Sequence, residues 1–288
     1  MELIWLDSRV GILSDRTNLG LIRFSKDVVL VDSGIDESYA RKALKIFSLN
    51  DLNLRWLVNT HFHADHIGGN AFIKKRTNVQ VITHVLTKPF VENPILEPLT
   101  LSCGAYPTDE LRSKFFLAEP SKVDETFEGD GYLYDLQIIE LPGHALGQVG
   151  VAVGDIIFAA DSIFGEEILR KKTIAVYNDI DAAIRSLDKL KSFNCCVPSH
   201  GSINGTEIIS LNKAHIEFVA EKIRLLMKEP KSEENIICDV LQNLQVDVAD
   251  VGMYYLLRMT ILAYLNWLKK TGEAQLYVDK GRTIWQRL

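Results

Sequence analysis

Thr60-His61-Phe62-His63-Ala64-Asp65-His66-Ile67-Gly68-Gly69-Asn70 is the stretch on which the reading of this chain turns. It places four metal-ligand candidates, His61, His63, Asp65 and His66, within six residues. Neutral imidazole and carboxylate together hold a transition metal and leave a position open for water. His61 and His63, two apart, can turn both rings toward one ion, while Asp65 and His66 reach a second. Gly68 and Gly69 let the backbone turn tightly and approach the site, because glycine carries no Cβ. A lone His-x-His is a weak signal. His-x-His-x-Asp-His before Gly-Gly is hard to explain as a merely solvated loop.

Three later patches extend it: Gly143-His144, Ala160-Asp161-Ser162 and Pro198-Ser199-His200-Gly201. Of seven histidines, five fall in these four patches, so the clustering is not a matter of composition. Asp161 ends an apolar run where an unpaired carboxylate would be costly to bury, and a metal removes that cost. His144 sits in Leu141-Pro142-Gly143-His144-Ala145-Leu146-Gly147-Gln148, a context that favours a ligand over a chance turn histidine. His84 and His215 lie outside the patches and read as surface or satisfied core residues.

Each patch follows a run read as a strand, and strand ends emptying onto one sheet edge are where such folds build sites. Strands are expected at 20–24, 28–32, 54–59, 79–83, 132–134, 137–141, 149–153, 156–159 and 193–197. Helices are expected at 37–49, 70–75, 179–191 and 211–228. Between Lys88 and Val123 the periodicity dissolves among prolines 89, 94, 98, 107 and 120. That stretch is either a substrate wall or a surface insertion. After a break at Glu229-Pro230-Lys231-Ser232 come helices at 233–244 and 251–270 and a terminal hairpin, 273–278 with 282–287. The expected division is a catalytic domain at 1–228 and a small winged-helix-like module at 229–288.

With 47% hydrophobic residues, 288 residues can bury a large core. A net charge of −6 gives no electrostatic reason to expect nucleic acid or an anionic membrane as partner. The N-terminus shows no secretory signal and no run looks membrane-spanning, so a cytoplasmic protein is expected. The four cysteines form no Cys-x-x-Cys pair, and Cys195 and Cys196 read as strand packing.

The patches together resemble the metallo-β-lactamase superfamily, in the branch that includes glyoxalase II-like hydrolases, over about residues 15–225. The resemblance implies an α+β fold, a four-layer αββα sandwich with the site at one edge between two sheets. It implies that His61, His63 and His144 hold one metal, that Asp65, His66 and His200 hold another, and that Asp161 bridges them opposite a shared hydroxide. Asp32 matches an acid that supports the ligand loop without binding metal. Two divalent ions about 3.5–4 Å apart make hydroxide available at neutral pH, and Asp65 is placed to orient it and shuttle a proton. Zinc is the first expectation, with iron or manganese as alternatives.

Departures from subfamilies narrow the activity. Exported antibiotic-hydrolysing members lack the bridging aspartate, which is present here as Asp161. The stretch Ser162-Ile163-Phe164-Gly165-Glu166-Glu167-Ile168 lacks the tyrosine-containing segment of glutathione-thioester hydrolases, and Phe164 stands where lactonases commonly carry tyrosine. Residues 229–288 hold seven Lys and Arg against eight Asp and Glu, a poor nucleic-acid clamp. The expectation is a hydrolase of small-molecule esters, thioesters or lactones, with a possible homodimer. The alternatives are a metal-dependent single-strand ribonuclease or phosphodiesterase and, third, a mononuclear iron sulfur dioxygenase.

Overall fold

A computed structural model describes residues 1–171, 173–203 and 205–288. Among these residues the strands form three sheets. The first contains β1 (Glu2–Trp5), β2 (Val10–Ser14), β3 (Leu19–Phe24), β4 (Asp27–Val31), β5 (Asn53–Asn59), β6 (Gln80–His84) and β7 (Glu125–Phe127), neighbours in that order. It is antiparallel from β1 to β4 and parallel from β4 to β7. The second contains β8 (Gly131–Leu133), β9 (Leu136–Glu140), β10 (Val149–Val153), β11 (Ile156–Ala160) and β12 (Cys195–Pro198), with only β11 and β12 parallel.

The apolar runs of these strands have two destinations because successive side chains face opposite sides of a sheet. Val28 and Leu30 of β4 pack with α1 (Glu37–Leu49), whereas Val29 and Val31 face the second sheet. Beyond α1 lie the single turn α2 (Ala64–Ile67) and α3 (Asn70–Arg76), which completes the outer layer. On the second sheet, Phe158 and Val197 point inward while Ile157 and Cys196 point out. The outer side is covered by α7 (Ile180–Lys189) and α8 (Glu207–Leu226), reached after α4 (Lys88–Glu92), α5 (Leu96–Leu101) and α6 (Glu166–Leu169). The result is the αββα sandwich that the family resemblance implies.

Past α8, the chain forms β13 (Lys231–Ser232), α9 (Glu233–Asn243), α10 (Val251–Lys270) and the hairpin β14 (Ala274–Asp279) and β15 (Arg282–Arg287). β15 is central in the third sheet, between β13 and β14. Ile237, Val240, Ile261, Leu265 and Trp285 belong to the same apolar cluster as Ile139, Leu141 and Ile216. No helix among the described residues is long and apolar enough to cross a membrane.

Several elements differ from the sequence expectation. β1, β2 and β7 were not anticipated; β1 and β7 are three or four residues long and largely exposed, too short to show alternation. The segment read as a break after Glu229 contributes β13, which pairs with β15. The proline-broken stretch carries α4, with proline in its first turn, α5 and a turn of 3₁₀ helix at Glu110–Arg112, none long enough for a helical period. α8 begins at Glu207, four residues before the expected Leu211.

The start of α1 depends on Asp36, whose carboxylate accepts the backbone N–H of Ser38 at 2.9 Å and of Tyr39 at 3.3 Å. The Ser38 hydroxyl, against burial and with help from Lys114, holds the Asp36 carboxyl down at about 2. Asp36→Ala is expected to cost about 1 kcal/mol at neutral pH. Because the folded pKa is depressed, this stability is present above the unfolded value of about 3.9 and is lost as pH falls through about 2. Thermal melts should separate the variant from wild type at pH 7 and bring them together below pH 2.

Candidate metal centre

The ligand loop is anchored at its base by Asp32, which follows β4 with a φ of 63° and is buried. One carboxylate oxygen accepts the Thr60 N–H at 2.8 Å, and the other accepts the Thr60 hydroxyl at 2.7 Å. The second oxygen also lies 2.8 Å from His66 Nδ1, which leaves Nε2 of that ring facing the centre. Behind it, the Ser33 hydroxyl donates to Asn70 Oδ1 at 2.7 Å and Asn70 Nδ2 donates to Asn59 Oδ1 at 2.7 Å. The stretch read as a loop contains α2, with His63 just before its first residue, so Asp65 and His66 sit on one helical turn.

Gly68 and Gly69 have φ of −62° and −85°, ordinary right-handed values. What excludes a side chain is crowding: a Cβ on Gly68 would lie 2.0 Å from the Ile35 carbonyl oxygen, and one on Gly69 would lie 2.4 Å from that of Ser33. The glycines permit the close approach of two backbones. They do not supply an unusual turn.

The remaining patches converge from the second sheet. Gly143, at φ 129°, packs so closely that a Cβ would lie 2.4 Å from Ala183 N. Its carbonyl accepts the N–H of Asn178 at 2.7 Å and of Asp179 at 3.0 Å, which fixes His144 next to it. His144 Nδ1 donates to the Val176 carbonyl at 2.7 Å, so Nε2 faces inward. Asp161 follows β11 directly, after Ala160 at φ 49°. The His200 turn is clamped by Asn18, whose Nδ2 donates to the Pro198 carbonyl at 3.1 Å and the Gly201 carbonyl at 3.0 Å.

All seven residues expected as ligands are brought together. Donor atoms of His61, His63 and His144 lie within 4.8 Å of one another, as do those of Asp65, His66 and His200, and those of His61, His66 and Asp161. Asp161 stands between the two triplets. Its Oδ2 is 3.6 Å from His144 Nε2 and 3.4 Å from His200 Nε2, and its Oδ1 is 3.5 Å from His66 Nε2. Asp65 Oδ2 lies 3.1 Å from His200 Nε2 and 3.7 Å from His66 Nε2.

The electrostatics divide the site in two. Burial first, then the neighbouring imidazoles, lowers His61 well below its usual range and His63 to about 3; burial also lowers His144. These rings favour the neutral form, and His63 Nδ1 lies 2.8 Å from His144 Nε2 and 3.1 Å from His61 Nε2, three nitrogens that a cation could share. Burial opposes charge on His66 as well, yet Asp65, Asp32 and Asp161 together raise it to about 9. His200 is raised against burial, chiefly by Asp161, and both Asp65 and Asp161 are held ionised by the histidines around them. Carboxylates that hold a proton on a buried ring would hold a metal cation in its place. His66 Nε2 and Asp161 Oδ1 are buried without a hydrogen-bond partner. Orphaned atoms of this kind are what a bound cation satisfies, so the residues fit a divalent metal.

Three contributors carry no motif in the sequence. Asn18 and Val176 act through polar contacts that join distant segments. Glu97 of α5 is buried, with Oε1 3.9 Å from His63 Nε2, and burial followed by the Asp65 charge pushes its carboxyl well above the usual range. An acid in the apolar run Ile95-Leu96-Glu97-Pro98-Leu99 was its available signal, the same one that marks Asp161. The expected second reading of His84 holds: it is buried and bonded to Glu140 at 3.0 Å.

The centre opens into a cavity of about 700 Å³ whose walls include Asp65, His200, Lys114, Phe116 and Leu256. Replacing Asp32 with alanine leaves the Thr60 N–H and His66 Nδ1 without their acceptor. Asp32→Ala should therefore weaken metal binding about 10–100-fold, read by chelator competition, with metal content at saturation preserved.

A profile of the metallo-beta-lactamase superfamily matches residues 14–204. Hydroxyacylglutathione hydrolase of Vibrio cholerae serotype O1 is 29% identical over 140 residues, which are 48% of this chain and 43% of that protein. The chain spans about half the length of the curated hydrolases it matches, or less. Among solved structures, a metallo-beta-lactamase family protein from Thermus thermophilus superposes with a TM-score of 0.73 at 17% identity, covering 100% of this chain and 98% of that one. A beta-lactamase domain protein from Burkholderia ambifaria gives 0.74 at 18% identity, covering 100% and 94%. At such identities these two show the fold alone. The profile covers more than half of the chain, and with the motif order above it establishes that this chain belongs to the metallo-β-lactamase superfamily.

Proposed function

We propose that the chain is a dinuclear metal-dependent hydrolase of small-molecule esters, thioesters or lactones. The observation that carries this reading is the position of Asp161, within 3.6 Å of ring nitrogens from both triplets. One carboxylate so placed would join a His61-His63-His144 ion to an Asp65-His66-His200 ion. Two divalent ions, zinc first and iron or manganese next, would supply an activated water at neutral pH and polarise the substrate carbonyl.

The chain's own residues do the rest. The Val176 carbonyl and Asp32 hold the rings of His144 and His66 in the orientation a ligand needs. Asp65, ionised and 28% exposed, faces the cavity and can accept the proton of the attacking water. As the water oxygen bonds to the carbonyl carbon and the C–O or C–S bond breaks, Asp65 returns that proton to the leaving oxygen or sulfur. Phe164, buried with its ring centre 6.0 Å from that of His144, stands where lactonases commonly carry tyrosine, which favours esters and thioesters over lactones. The similarity to a hydroxyacylglutathione hydrolase supports thioester chemistry.

A second reading rests on the order helix, strand, helix, helix, hairpin from α8 onward, an arrangement shared with winged helices. The surplus of acids over bases in 229–288 argues against its use on RNA. The support for the small-molecule reading is that Leu256 of α10 faces the same cavity as Asp65 and His200.

Metal analysis of the purified chain should find two ions in wild type and fewer in Asp65→Ala. Hydrolysis of acyl thioesters should fall by at least about 100-fold in that variant and vanish on chelation, returning with zinc. RNA cleavage that is robust in wild type and abolished in Asp65→Ala would replace this reading with the nuclease one.

A further inference from the structure

Beside the metal-centre cavity lies a second one of about 550 Å³, a size suited to a small-molecule group. Its walls are apolar: Phe115 and Phe116 from the proline-broken stretch, Ile174 and Val176 ahead of α7, Met253 and Leu256 from α10. The acids at it are Glu110 and Asp250, and among the described residues neither lysine nor arginine lines it. Asp250 is engaged in capping α10 through the Met253 N–H at 2.8 Å.

This cavity and the catalytic one share Phe115, Phe116 and Leu256 as walls. Val176 ties it to the centre from the other side, since its carbonyl accepts from His144. The wall is built rather than incidental. Phe116 is buried against α10 where that helix has Gly252, and a Cβ there would lie 2.2 Å from the Phe116 ring. Of the three cations lining the catalytic cavity, Lys42 is paired with Asp15 at 3.0 Å and Lys114 with Asp36 at 3.0 Å, while Arg16 stands at the polar side of that cavity, away from the apolar one.

We propose that the apolar cavity binds the acyl or aryl group of the substrate, so that the enzyme hydrolyses esters or thioesters of medium-chain or aromatic acids. The proposal rests on the hydrolase reading above and names its substrate class. In this arrangement the carbonyl is presented to the metal centre, the hydrocarbon occupies the apolar cavity on the far side of the shared Phe115, Phe116 and Leu256 wall, and the leaving group stays in the larger cavity. Each methylene removed from water on binding is worth about fourfold in affinity. Specificity should therefore climb with chain length until the cavity is full.

The test uses the metal-loaded full chain with p-nitrophenyl esters and N-acetylcysteamine thioesters of acetic, butyric and octanoic acids. The expected result is a kcat/KM for octanoyl at least tenfold above acetyl, carried mainly by KM. Met253→Trp, which fills the cavity from a position 37% exposed, should cut the octanoyl-to-acetyl ratio at least tenfold with metal content and melting midpoint retained. If that variant melts early, Phe115→Ala on the exposed rim replaces it, with the ratio again expected to fall. Octanoate binding, followed by calorimetry with acetate as reference, should weaken in the same variant. A kcat/KM independent of chain length, or octanoate binding that the substitutions leave unchanged, overturns the proposal and leaves the hydrolase reading standing. Failure to hydrolyse any ester or thioester sinks the hydrolase reading, and octanoate binding then decides the cavity by itself.

Discussion

The ligand loop of the first sheet depends on one buried carboxylate that is itself not among the metal-facing groups. Asp32 takes hydrogen bonds from the Thr60 N–H, the Thr60 hydroxyl and His66 Nδ1. A carboxyl group in such a position is costly to bury unless its oxygens are satisfied, and here three donors satisfy them. The same bonds set the start of the ligand loop and the tilt of one ring. Two strand ends, β4 and β5, are thereby locked together where they leave the sheet. Histidines that would otherwise sample many rotamers are held for a common target before any ion arrives.

The sandwich places this lock opposite the edge of a second sheet, which delivers His144, Asp161 and His200. The inner faces of both sheets pack as one apolar cluster, so the relative position of their edges is set by side-chain volume. A direct link spans the gap as well: the Val149 N–H donates to the Thr60 carbonyl at 2.9 Å. Strain appears where the chain leaves the sheets. Asp32 and Ala160 both adopt positive φ, and both border the metal-facing residues.

Much of this was legible in the residues. The ligand cluster, the later patches and most of the strands could be read because they depend on local chemistry and strand alternation, whereas the two-sheet architecture was legible only through the family resemblance. The role of Asp32 was legible only through the family pattern, since Asp32-Ser33-Gly34 by itself reads as a turn. The reason for Gly68 and Gly69 was half legible: close approach was anticipated, but the partner backbone at Ile35 and Ser33 lies more than thirty residues earlier. Glu97, Asn18 and Val176 were not read at all. For Asn18 and Val176 the importance exists only after segments distant in sequence meet, and no period or motif records such a meeting, whereas Glu97 left only the faint signal of an acid in an apolar run. The proline-broken stretch hid its one-turn helices for the opposite reason, because elements that short have no period to display.

The Asn18 clamp has a consequence for the order in which the centre is assembled. His61 and His63 need only the neighbouring strands β4 and β5, whereas the His200 turn is held by a residue 180 positions away. Contacts of such separation close large loops and are expected to form late in folding. A partly folded chain thus presents a His-x-His pair without the opposing residues, suited to retaining one ion loosely. The proposed two-ion arrangement requires the first and last parts of the sandwich to have met, so completion of the seven-residue cluster is a report on completed folding.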